Sequence, residues 1–178
     1  MKKREVKNKN YEKILIIILS VLLLISILIN LFVIKDFNIV NPNLKDLPEL
    51  SLKDYSSLEV EVFEEKLVLK ANCYAVVWTI TSDLSTSIND ALNNNINERP
   101  NTHDSLKNIL NAFNIKVIMV KVTEIRDKNF LSNLYLVKNN KIISLDTKPS
   151  DAIALALRVN APMYINNNLL KEYGIKYC

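Results

Sequence analysis

Leu145–Arg158 reads LDTKPSDAIALALR, and this stretch decides the fold. Pro149 disfavours helix for the residue before it, and Ser150 is a good N-cap. Asp151 then falls in the first turn, where a negative charge suits the helix dipole. Every residue from Ala152 to Leu157 is apolar. A helix without a polar face must be covered on nearly all sides, so the other elements have to be arranged around this one.

Upstream, Arg99–Asp104 reads RPNTHD. Together the two cassettes resemble the bifunctional nuclease domain family, whose hallmarks are R-P-x-T-H-D and D-x-[RK]-P-S-D-A-I-A-L-A-L-R. The resemblance runs from about Cys73 to about Ile165. It implies a mixed sheet-and-helix domain, homo-oligomeric assembly, and hydrolysis of RNA and DNA with a divalent metal. Two departures stand out. Thr147 and Lys148 replace the family's frequent Ala and Arg, and lysine keeps the charge but loses the bidentate fork. Relatives usually end both cassette helices with glycine, where this chain has Asn114 and Asn160. Asparagine is the next most tolerant residue in the left-handed conformation of a helix C-terminus. The remaining asparagines read as a compositional habit.

The N-terminal fifth carries an uncharged apolar segment at 14–34. A bilayer core takes about 20 helical residues, so this is read as an uncleaved transmembrane signal anchor. Lys2, Lys3, Arg4, Lys7, Lys9 and Lys13 precede it, whereas only Lys35 and Lys45 follow closely. The positive-inside rule then puts the N-terminus in the cytoplasm and the folded part outside. Beyond the segment, residues 35–178 hold 17 basic and 17 acidic groups. That neutral balance excludes binding of nucleic acid by bulk charge and leaves local placement as the only route.

Cys73 and Cys178 are the only cysteines, which excludes a C-x-x-C zinc or redox motif. Two readings stay open: a disulfide tying the C-terminus to the first sheet, or unrelated thiols with Cys73 in a strand. Gly174 is the single glycine, which excludes Gly-built phosphate loops and dinucleotide fingerprints.

Period and turn signals divide the rest. A basic tail occupies 1–13, a linker 35–57, and one domain 58–178. Leu58–Phe63 and Leu67–Ala71 alternate as a hairpin, and Cys73–Thr81 reads as a longer strand. Ser82 is expected to cap a helix with apolar positions at Leu84, Ile88, Ala91 and Leu92. Thr102 is expected to cap another, lined by Leu106, Ile109, Leu110 and Phe113. Strands at 115–126, 130–138 and 141–145 follow, with Asp127-Lys128-Asn129 and Asn139-Asn140 as turns. A short strand near 163–165 and a helix near 168–173 close the chain. Grouped strands with inserted helices predict α+β: a mixed, largely antiparallel sheet with packed helices, preceded by one transmembrane helix.

His103 is the only histidine, which excludes a multi-histidine zinc site. At the first turn of a helix it suits acid/base work, or alternatively supports the cap. Asp104, Asp146 and Asp151 are the candidate ligands for Mg²⁺ or Mn²⁺, with Glu98 more distant. Asp104 and Asp151 both open helices, so convergence of those helix ends would build an anion-tolerant pocket. Arg99, Lys148 and Arg158 are the candidate phosphate contacts, and His103, Asp104 and Asp151 the candidate catalytic groups. The alternative is a non-catalytic oligomeric scaffold held at the lipid bilayer, in which the aspartates stabilise helices and pair with arginines.

Overall fold

The computed structural model describes residues 15–28, 48–95 and 97–178. The chain divides into two units, Met1–Glu49 and Leu50–Cys178. In the first, residues 15–28 form helix α1, and none of them is buried. Among the described residues, no helix is long and apolar enough to cross a membrane. The expected transmembrane helix is therefore not seen as such. Position 14 and positions 29–34 of that span, the tail 1–13 and linker residues 35–47 lie outside the described residues.

The second unit contains β1 (Tyr55–Ser57), β2 (Glu59–Phe63), β3 (Lys66–Ala71), β4 (Tyr74–Thr79), α2 (Ser82–Leu92) and α3 (Thr102–Ala112). It continues with β5 (Lys116–Arg126), β6 (Asn129–Lys138), β7 (Lys141–Thr147), α4 (Pro149–Arg158), β8 (Met163–Asn166), α5 (Asn167–Tyr173) and β9 (Ile175–Lys176). The class is α+β as expected, but the strands form two sheets. One has the order β1-β8-β5-β6-β7, the other β2-β3-β4-β9. All pairings are antiparallel except β5 with β8. The expected linker also gives up its last residues to β1, whose Tyr55 stands opposite Asn166.

Alternation sets the faces. Strand β3 buries Leu67, Leu69 and Ala71, and turns Lys66, Val68 and Lys70 the other way. Strand β5 is buried continuously from Met119 to Val122, as a strand covered on both faces must be. The lysine in that run, Lys121, directs Nζ to the Ser51 carbonyl at 2.7 Å and over the Tyr55 ring at 4.5 Å. Burial holds its amine below the usual lysine range.

Helix α4 is the centre of the domain. Ile153 and Ala154 join Leu67, Leu69, Val76 and Ile88 in one core. Ala152, Leu155 and Ala156 join Leu110, Val120, Leu134 and Leu136 in another. Helices α2 and α3 both pack against α4. Truncating Leu155 to alanine would cost about 2–5 kcal/mol, because the site is closed on every side.

Three details differ from expectation. The caps sit earlier: Asn101 rather than Thr102 caps α3, Thr81 rather than Ser82 precedes α2, and Lys148 rather than Ser150 precedes α4. Pro149 takes the first helical position, where its missing N–H is no loss. In α3 only Leu110 is buried, while Leu106, Ile109 and Phe113 are exposed. Lastly, the asparagines have a role beyond composition. Asn72, Asn94, Asn114, Asn139, Asn140 and Asn160 all adopt positive φ. After α3 and α4, Ile115 N–H returns to the Leu110 carbonyl and Ala161 N–H to the Ala156 carbonyl, each across five residues. These are the closing bonds of Schellman caps, made with asparagine where glycine is usual.

Candidate functional site

The N-termini of α3 and α4 meet, bringing the two cassettes together. Asn101 begins the arrangement. Its Oδ1 accepts from the backbone N–H groups of His103 and Asp104 at 2.9 and 3.0 Å, and its own N–H donates to Asp104 Oδ2 at 3.0 Å. This capping box fixes the directions of the His103 and Asp104 side chains.

His103 Nε2 lies 3.3 Å from Asp151 Oδ1, and its Nδ1 lies 3.0 Å from Ser87 Oγ. Ser87 Oγ also receives Asn101 Nδ2 at 3.3 Å and Arg158 Nη2 at 3.0 Å. A serine hydroxyl accepts two hydrogen bonds and donates one, so the Ser87 O–H is directed to His103 Nδ1. The neutral imidazole then carries its proton on Nε2 and donates it to Asp151. The His103 side chain is 13% exposed and that of Asp151 43%, so the open end of this relay is the aspartate.

The second pair lies deeper. Arg158 Nε donates to Asp104 Oδ1 at 2.5 Å, and Nη1 donates to the Ala154 carbonyl at 2.8 Å. Burial alone would raise the Asp104 carboxyl. The Arg158 and Asn101 hydrogen bonds, with the Arg158 and Lys107 charges, pull it below the usual carboxylate range.

The expected residues are thus distributed unevenly. His103, Asp104, Asp151 and Arg158 share one network. Arg99 and Glu98 are exposed in the bend between α2 and α3. Asp146 and Lys148 line a separate groove beside Trp78 and Phe130. Among the described residues, no three His, Cys, Asp or Glu side chains are gathered as a metal cluster. Asp104 also has both oxygens engaged within the chain, so the Asp104–Asp146–Asp151 set does not fit a shared ion. Of the two aspartates in the His103 network, Asp151 is the more open, its side chain 43% exposed against 31% for Asp104.

Cys73 and Cys178 are joined by a disulfide, with Cα atoms 5.2 Å apart. It fastens β9 beside the β3–β4 hairpin, where Tyr177 N–H donates to the Cys73 carbonyl at 3.0 Å.

Ser87 and Asn101 were not anticipated. Asn101 occupies the unspecified position of the first cassette. Ser87 lies on α2, 16 residues before His103 and 71 before Arg158, and nothing in its local pattern marks it. With His103, both line a cleft of about 340 Å³.

The sequence is similar to those of known proteins. A bifunctional nuclease 1 of Oryza sativa subsp. indica is 35% identical over 81 residues, which are 44% of this chain and 24% of that protein. A bifunctional nuclease 2 of Arabidopsis thaliana is 30% identical over 81 residues, covering 44% and 25%. An uncharacterised protein of Mycobacterium tuberculosis is 30% identical over 77 residues, covering 43% and 45%. The chain therefore spans less than half the length of these relatives. The profile of the bifunctional nuclease domain matches residues 67–177, which hold both cassettes and all of α2, α3 and α4. On that match, and on the meeting of its two cassettes around His103 and Asp151, the chain belongs to the bifunctional nuclease domain family.

Proposed function

We propose that this protein is a nuclease hydrolysing phosphodiester bonds of RNA and DNA. The observation that carries this reading is the His103–Asp151 contact, which couples an imidazole to an accessible carboxylate where two helix N-termini meet. Water attacks phosphorus, the new P–O bond forms and the bond to the leaving sugar oxygen breaks. The Asp151–His103 couple takes the proton of the water and returns one to the leaving oxygen. Lys148 and Arg99, both exposed, are the proposed phosphate contacts. Arg158 and Asp104 serve chiefly to hold α3 against α4.

A divalent ion belongs to the proposal as a companion of bound substrate. Mg²⁺ is ordinarily held by one or two carboxylates together with substrate phosphates and water, and Asp151 offers one carboxylate. We also propose that residues 14–34 anchor the chain in a lipid bilayer with the domain on the extracytoplasmic side. The hydropathy and basic flank of the sequence support this, as does a disulfide, which persists in oxidising compartments. Protease accessibility of the domain in intact cells tests it. Self-association into a homo-oligomer is supported by the exposed stripe Leu106, Ile109 and Phe113 on α3.

The test of the nuclease is cleavage of single-stranded RNA and DNA by the purified chain, with and without Mg²⁺ or Mn²⁺. His103→Gln and Asp151→Asn should each lower the rate by about 10²–10⁴-fold while the fold is retained. Cleavage unaffected by both would reject these roles. A second reading, a non-catalytic scaffold, is favoured by one observation: Ser87, His103, Asp104 and Arg158 satisfy one another within the chain. Absence of cleavage under every condition would select it.

A further inference from the structure

The groove holding Asp146 and Lys148 has an architecture of its own. Its volume is about 480 Å³, and it runs between the β5–β6 turn and the start of α4. One wall is aromatic: Trp78 and Phe130 are stacked with ring centroids 4.2 Å apart, and both remain half-buried. The rim is cationic. Lys148 immediately precedes α4, and Lys128 stands in the turn, held there at φ 65. A lysine kept in the left-handed region of a two-residue turn, where Asn-Gly is favoured, is a conformational expense with no packing return in an exposed loop.

The floor of the groove is polar. Ser150 lines the groove, is fully buried, and its Oγ has no hydrogen-bond partner among the described residues. It sits in the first turn of α4, where the helix dipole also favours negative charge. Asp146 is the opposing charge on the rim, outweighed by the two lysines.

We infer that this groove binds a single-stranded stretch of nucleic acid, with a base against the Trp78–Phe130 pair and a phosphate between Lys128 and Lys148. Aromatic faces accept any base, but only one that has left a duplex stack, so the occupant is single-stranded. Ser150 is followed directly by Asp151, so the groove and the His103 contact share the first turn of α4. The inference rests on the nuclease reading for its purpose and on the groove for its chemistry. It also supplies the local cationic placement that a neutral domain requires.

Trp78 is the only tryptophan of the chain, so its emission reports on the groove directly. The full-length protein in detergent micelles, with chelator present, is titrated with a short oligothymidylate and with an abasic oligomer of equal length. Saturable quenching by oligothymidylate is expected, with the abasic oligomer about tenfold weaker. The double variant Lys128→Ala, Lys148→Ala should weaken oligothymidylate about tenfold and flatten the log affinity against log salt slope by about 1.4. Phe130→Leu, which keeps the wall apolar, should shrink the advantage of oligothymidylate over the abasic oligomer. No quenching, equal affinity for both oligomers, or indifference to the lysine variant would each overturn the inference. A parallel cleavage assay separates the two claims. Cleavage without quenching removes the groove and leaves the nuclease standing, whereas quenching without cleavage keeps the groove and rejects the nuclease.

Discussion

Arg158 at the end of α4 donates from Nε to Asp104 Oδ1 in the first turn of α3, 2.5 Å away and 54 residues earlier in the chain. The arginine side chain is only 5% exposed. Removing the carboxylate would leave a guanidinium buried without its counter-charge, which is the expensive way to break such a pair. Asp104→Ala is expected to destabilise the domain by about 3 kcal/mol. Asp104→Asn, which keeps an acceptor for Arg158, should lose clearly less. Urea unfolding of the two variants checks this, and equal losses would mean that the charge of Asp104, rather than an acceptor as such, is what Arg158 requires.

The same pair makes stability depend on pH. Asp104 has its carboxyl lowered from an ordinary value of 3.8. The unfolded chain therefore takes up a proton before the folded one does as acid is added. Its contribution is fully present above about pH 4 and is lost as the pH falls through the lower, folded value. Thermal melts of the wild type should show a steeper decline on the acid side than melts of Asp104→Asn. Parallel declines would assign the acid sensitivity to other carboxylates.

The legibility of this fold in its sequence follows from what kind of information each feature needs. The run Ala152–Leu157 demands neighbours on every side, and α4 has them in both cores. Asn114 and Asn160 are legible because the left-handed region admits few other residues. The stripe of α3 is different: amphipathicity says which face is apolar, not whether anything covers it, and three of its four members remain exposed. Strand β9 has two residues and no period to read; its place is set by β4 and the disulfide. The cassettes name His103, Asp104, Asp151 and Arg158 but not their partners. Whether Asp104 faces Arg158 or a metal depends on how α3 docks on α4. Ser87, supplied by a third helix, has no local signature at all.

The asparagines in glycine-like conformations give a prediction of both signs. Asn114 and Asn160 have φ of 53° and 52° immediately after their helices. Alanine there would place a Cβ against the carbonyl without the local hydrogen bonding that helps asparagine, at about 1 kcal/mol each. Glycine relieves the contact but loses more chain entropy, so its net effect should lie within about 0.5–1 kcal/mol of wild type, on the stabilising side. Chemical denaturation of Asn160→Ala and Asn160→Gly measures both. If alanine were as stable as glycine, backbone strain at this position would not be a significant term.

The Cys73–Cys178 bond closes a loop of 105 residues around nearly the whole domain. In the chain-entropy description, a loop of this length restricts the unfolded state by about 4.7 kcal/mol, an upper figure because denatured chains retain structure. Reduction should therefore lower the melting temperature sharply without changing any core contact. Locally, β9 is held by Ile175 and Lys176 opposite Ala75 and Tyr74, and by the Tyr177 N–H bond to Cys73. Two residues of strand cannot persist on pairing alone. Hydrogen exchange of Cys178→Ser should show the amides of Ile175–Tyr177 unprotected, while those of β3 and α4 remain slow under native conditions. Protection of β9 in that variant would show that Gly174 and the end of α5, rather than the disulfide, hold the C-terminus in the sheet.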